Sequence, residues 1–291
     1  MRRRALSLLC LVLGLASNLT AQGTSCPAGT AAAITHVLRT KEGSTFVGCI
    51  VEQSADSIRF ATSGGTLTLP RTAVAELKAV NTRDIHNGEY WFPNPNATRL
   101  FFAPTGRMLR QGEGYYSNTL LVLNGVSGGI TDRVSIGGTA TLIPGTTDQV
   151  GYLTPKIGVF ASDNVNVAVG GLVAYSTISD ESDLRRFGFL YSVATVGSPD
   201  ASATAGIGWG YAGSSLVKSP AIMLGGAVRM SRRTAFVTEN YFASSTRASG
   251  AFLGYGIRFF GEKLSVDLAL VNSVKEPIFP GVPFVSFSVD F

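Results

Sequence analysis

Period-two alternation over segments of about ten residues restricts this chain more than any other feature. At the C-terminus Val285, Phe287, Val289 and Phe291 share one parity, and Ser286, Ser288 and Asp290 share the other. Successive side chains of a strand point to opposite faces, so this spacing separates an apolar face from a polar one. The same split recurs upstream. Leu264, Val266, Leu268 and Leu270 oppose Ser265, Asp267 and Ala269, and Leu253, Tyr255, Ile257 and Phe259 oppose Gly254, Gly256 and Arg258. Ala203, Ala205, Ile207, Trp209 and Tyr211 oppose Thr204, Gly206, Gly208 and Gly210, while Val165, Val167, Val169, Val173 and Tyr175 share one parity. The expected fold class is all-β.

Composition decides what kind. Charged residues are 15% of the 291 and hydrophobic ones 45%, with a mean hydropathy of +0.24 and 34 glycines. The charged share lies below the roughly 25% of soluble domains, and the apolar share excludes disorder. After the N-terminal segment no stretch reaches the ~18 uninterrupted apolar residues of a membrane helix. An antiparallel transmembrane β-barrel yields this mixture, because lipid-facing and lumen-facing residues alternate. Inward glycine eases crowding where a sheet curves, and closure leaves no unpaired edge in lipid. A secreted or periplasmic β-sandwich also alternates and is the rival.

Connections alternate in length. Short turns fall near 131–132, 162–164, 197–200, 231–234 and 261–262, and longer loops near 144–151, 177–185, 213–220, 244–250 and 273–282. This counts eleven strands from Gly114 to Phe291. Arg99–Ala103 is the expected twelfth, with Gly106–Glu113 as its external loop, so that both ends of the barrel lie on one side. Ten or fourteen strands follow if one was merged or split.

The chain before the barrel divides into three. Arg2, Arg3 and Arg4 precede an apolar run from Ala5 to Ala16 and then small residues. That is the pattern of a secretory signal peptide over residues 1–23, cleaved after Ala21 or Gly23. Of the 24 Lys and Arg, three fall in it, which leaves 21 basic against 19 acidic residues and no electrostatic case for nucleic acid. It also leaves Cys26 and Cys49, free to pair in an oxidising compartment or to stay as two thiols. Residues 24–80 hold a small β-module, whose strands fall at 36–40, 45–53, 57–62 and 66–69 between turn clusters, with one helical turn near 70–77. Residues 81–98, with Pro93 and Pro95 among Trp91, Phe92, Asn94 and Asn96, read as a linker touching the membrane surface, and 99–291 as the barrel.

Two resemblances sharpen this. The turn spacing of "VLRTKEGSTFVGCIVEQSADSIRFATSGGTLTLPRTAVAEL" resembles small SH3-like or Sm-like barrels. The terminal strand Val285, Phe287, Val289, Phe291 resembles the targeting strand of bacterial outer-membrane β-barrel proteins. The second resemblance implies reading by the barrel-assembly machinery and an outer-membrane location in contact with lipid. The small module is expected in the periplasm, as a spacer or as a docking module for a partner.

Catalytic constellations are not expected. Both histidines, His36 and His86, precede the barrel, so its wall lacks the usual base for a Ser nucleophile. Two Cys and two His lack structural-zinc spacing, so neither metal nor other cofactor is expected. Asp180, Glu181 and Asp183, beside Arg185 and Arg186, read as a solvated loop rather than a Ca²⁺ site. "GIGWGYAG" and "GGAVRMS" lie within strands and are not phosphate loops. The informative charges are inward ones: Arg258, Asp267 and Asp290, with Arg229 and Glu239 as further candidates. If Gly261-Glu262 is a two-residue turn, Arg258 opposes Ser265 and reaches Asp267 diagonally. Such charges either line an aqueous path or pair across a narrow lumen, and pairing is the preferred reading. Two functions are therefore expected: a narrow passive channel for small solutes, or a structural protein with a plugged barrel whose periplasmic module docks a partner.

Overall fold

A computed structural model describes residues 34–142, 144–145, 149–178, 186–243 and 250–291. The signal segment, Cys26 and the acidic residues 180–183 lie outside the described residues. The chain divides into two compact units, Met1–Phe92 and Pro93–Phe291.

The first unit is an antiparallel sheet of β1 (His36–Thr40), β2 (Thr45–Gln53), β3 (Ser57–Thr62), β4 (Gly65–Pro70) and β5 (Val74–Ala79), ordered β4-β3-β2-β1-β5. Its turns have local causes. Gly43 takes φ +92° in the β1–β2 turn, and the Ser54 hydroxyl accepts the Ser57 amide at 3.0 Å in the next. A single 3₁₀ turn, Arg71–Ala73, sends β5 back to β1. Leu38, Ile58 and Phe60, at most 1% exposed, form its core. The expected meander is present as a five-stranded sheet, in which β4 pairs only with β3 and β5 only with β1 among the described residues. Cys49 is buried and disulfide-bonded. A two-residue hairpin follows, β6 (Ile85–His86) and β7 (Glu89–Tyr90), turned by Asn87 and Gly88 at positive φ.

The second unit is a closed antiparallel barrel. In chain order its strands are β8 (Gly114–Thr119), β9 (Leu123–Thr131), β10 (Val134–Thr141), β11 (Val150–Leu153), β12 (Lys156–Ala161), β13 (Val165–Ser176), β14 (Arg186–Gly197) and β15 (Ala201–Ala212). β16 (Ser215–Leu216), β17 (Ala221–Ser231), β18 (Thr234–Ala243), β19 (Gly250–Phe260), β20 (Leu264–Ser273) and β21 (Val282–Asp290) complete it. β11 and β12 are one wall strand interrupted at Pro155, and β16 only extends the β15 hairpin. The wall therefore has twelve strands. It closes where β21 pairs with β8, from Asp290↔Tyr115 to Ser286↔Thr119.

The count matches the expectation, but the reason differs. Arg99–Ala103 is not a wall strand. The twelfth strand comes from a turn at residues 120–122 that splits Gly114–Thr131 in two. Leu120 and Leu121 make that turn at φ 54° and 65°. This left-handed conformation ordinarily calls for Gly or Asn, so no turn residue marks the place.

The faces are inverted relative to a soluble protein. Leu190, Val228 and Ile157 point outward and are 51–53% exposed, whereas inward Arg258 and Asp267 are 1% and 0% exposed. Exposed apolar side chains recur on every long wall strand from β13 to β21. So large an apolar exterior is untenable in water and is the surface that hydrocarbon requires.

Candidate functional site: the plugged lumen

Residues 93–113 enter the barrel at its short-turn end. Asn94 Nδ2 donates to the Pro199 carbonyl at 2.8 Å, and on leaving the Gln111 amide donates to Asp132 Oδ1 at 2.9 Å. Between them the segment folds as a tight loop. The Leu100 amide donates to the Ala103 carbonyl at 2.8 Å and the Thr105 amide to the Thr98 carbonyl at 2.9 Å. Its tip is apolar. Leu100, Phe101 and Ala103 pack against inward Ala168, Val193, Met223, Ala227, Val237 and Ala269, and Phe101 meets Phe284 with ring centroids 5.7 Å apart.

Wall side chains fasten the backbone of this plug. Arg258 binds Asp267 through two bonds, Nε to Oδ1 at 2.6 Å and Nη2 to Oδ2 at 3.0 Å. Its remaining hydrogens go to carbonyls of the plug: Asn96 at 2.8 Å, Arg99 at 3.2 Å and Leu100 at 2.6 Å. A guanidinium has five N–H donors, and all of them are engaged. Asp267 also accepts from Ser286 Oγ at 3.1 Å. Glu239 does for amides what Arg258 does for carbonyls. Its Oε2 accepts from Phe102 and Ala103, each at 3.0 Å, and its Oε1 from the Tyr241 hydroxyl at 2.7 Å. Lys156 Nζ donates to the Arg107 carbonyl at 2.6 Å. Thr195 Oγ1 accepts the Gly106 amide at 2.8 Å and lies 2.8 Å from Thr204 Oγ1. A Cβ at Gly106 would stand 2.1 Å from the Asn166 carbonyl oxygen, so this close approach requires glycine.

The expected inward residues separate into two groups. Arg258, Asp267 and Glu239 meet on the plug. Arg229 instead braces the short-turn end, with Nη1 3.0 Å from Asp200 Oδ1, Nη2 donating to the Arg232 carbonyl at 2.7 Å, and its guanidinium 5.0 Å from the Phe260 ring centre. Asp290 faces inward at the same end, its amide donating to the Lys263 carbonyl at 2.7 Å. Val285, Phe287 and Val289 lie on the outward face, and the terminal Phe291 is 68% exposed.

The turn register differs from the expectation. Phe260 pairs with Ser265 and Arg258 directly with Asp267, because residues 261–264 make the connection. The shift is two residues, so every side chain keeps its face. Lys156, Thr195, Asn96 and Arg99 were not singled out by the sequence. Lys156 was the detectable one, a lone charge on the inward parity of an apolar strand.

The fold and the site together define a twelve-stranded antiparallel barrel with an internal plug contributed by the segment just ahead of its first strand. No protein-family model and no curated protein matches the chain. Solved structures similar to it include porins and another outer membrane protein. They include KdgM porin in complex with disordered oligogalacturonate (5% identity, 61% of this chain and 95% of that one, TM-score 0.43). NanC porin is another (7% identity, 61% and 97%, TM-score 0.41). A third is a loop L8 deletion mutant of OmpT, an outer membrane protein of Vibrio cholerae (11% identity, 89% and 97%, TM-score 0.34). The fold assignment rests on the strand pairing itself.

Proposed function

We propose that this is an outer-membrane β-barrel protein held closed by residues 93–113, a plugged barrel rather than a freely conducting pore. The observation that carries the reading is Arg258. A pore-lining arginine keeps donors for passing ions, whereas this one commits all five to Asp267 and to the plug backbone. The apolar exterior supports the membrane location, and the short turns at one end support a periplasmic position for that end. The plug begins there, so residues 34–92 are proposed to stand in the periplasm, where they would dock an envelope partner.

Planar-bilayer recording tests the closed state. The wild type is expected to show no steady conductance, and Arg258→Ala or the milder Glu239→Gln to show channel openings. A steadily conducting wild type would restore the narrow-channel reading. Protease added to intact cells is expected to spare residues 34–92 and to cut them once the outer membrane is permeabilised. Cleavage in intact cells would place them outside.

A further inference from the structure

Beyond the plug the lumen is not filled. A cavity of about 550 Å³ extends from the plug to Thr119 and Leu123, at the long-loop end of the wall. That size falls within the roughly 300–1,000 Å³ of small-molecule sites. Its walls are aromatic: Phe102 from the plug, and Tyr152, Phe189, Tyr191 and Phe284 from the strands. Phe102, its amide held by Glu239, is 48% exposed, and its ring lies 6.4 Å from Tyr152, edge on.

Three ions border the cavity, and they are not equivalent. Lys156 and Glu239 are fastened to plug backbone, as described above. Arg99 is nine-tenths buried, with Nε donating to Asn96 Oδ1 at 3.1 Å and its guanidinium 5.6 Å from the Tyr115 ring centre. Its Nη2 has no hydrogen-bond partner. Asp290 feels the Arg99 charge, but no hydrogen bond joins the two. A buried donor left unpaired is costly, and the residue that carries it lines an aromatic cavity large enough for a guest.

We infer that the cavity is a binding site for a small amphipathic carboxylate, its apolar body among Phe102, Tyr152, Tyr191 and Phe284 and its acid group on the edge of the Arg99 guanidinium that lines the cavity. A planar carboxylate suits a guanidinium edge, and the aromatic walls suit a ring or short chain better than a sugar or a free ion. The long-loop end is the side from which such a ligand arrives. The inference rests on the plugged-barrel reading, because Arg99 and Phe102 belong to the plug.

Calorimetry on the full chain in lipid nanodiscs tests it, with empty nanodiscs as the reference. The probes are 2-naphthoate and the uncharged 2-naphthalenemethanol. A charge-assisted hydrogen bond makes the acid bind roughly tenfold or more tightly than the alcohol. Arg99→Gln is expected to remove that preference, Arg99→Lys to keep part of it, and Phe102→Ala to weaken both probes. Equal binding of acid and alcohol, no binding above empty nanodiscs, or a preference that survives Arg99→Gln would overturn the site. If Arg99→Gln does not fold, the wild-type comparison and Phe102→Ala still decide. A silent wild type that binds no naphthoate overturns this site alone, whereas a conducting wild type overturns the plug.

Discussion

Arg258 and Asp267 share a buried position at the plug, joined by two hydrogen bonds. Removing one partner strands the other in a dry interior at a cost of about 3–5 kcal/mol. Arg258→Met and Asp267→Asn are therefore each expected to lower stability by about that amount, read as the urea midpoint of the folded, heat-modifiable band. The double variant is expected to be less destabilised than the sum of the two. Simple additivity would show that the pair is not coupled. The sequence disclosed the facing of these two residues because parity survives an even slip in register. It did not disclose the carbonyls of Asn96, Arg99 and Leu100, because backbone acceptors 158–162 positions away leave no trace in residue type. The prolines beside Asn96 predict a linker, yet its side chain donates to Ser265 Oγ at 2.9 Å inside the barrel.

At the scale of elements, the wall was readable and the plug was not. Strands β13 to β21 alternate because one face meets hydrocarbon and the other the lumen. Arg99-Leu100-Phe101-Phe102-Ala103 also looks like a membrane strand, because an apolar plug tip obeys the same demand for burial as a wall strand. The β8–β9 turn escaped notice for the opposite reason: leucine stands where turn chemistry favours Asn-Gly. A left-handed conformation costs a residue with a Cβ roughly 1–2 kcal/mol, and Leu121 is 75% exposed, with little packing to offset it. Leu120→Asn combined with Leu121→Gly is expected to stabilise the barrel by about 1 kcal/mol. A lower urea midpoint for that variant would mean that the leucines hold the turn by contacts that outweigh their backbone strain.

For the whole molecule, the governing fact is inversion: charge inside, hydrocarbon-compatible side chains outside. An apolar exterior contributes no drive for folding until lipid surrounds it, so the barrel must draw its specificity from the lumen. There the plug precedes β8 in the chain and is fastened to β12, β14, β18 and β19. The closing pairing, β21 with β8, is short: it joins residues 286–290 to 115–119, with one backbone hydrogen bond beyond each end, Leu120 to Val285 and Phe291 to Gly114. The order of events follows. A segment fastened to four wall strands is expected to be laid down before that short seam zips, with the sheet rolled around it as around a mandrel. A chain beginning at residue 114 would have to close over Arg258, Asp267, Glu239 and Lys156 with their plug partners gone. It is expected to refold into detergent micelles more slowly and in lower yield than the full chain, while a peptide of residues 93–113 present during refolding restores part of that yield. Rescue by the same peptide added after closure would show that the seam opens freely and that the winding order has no hold on assembly.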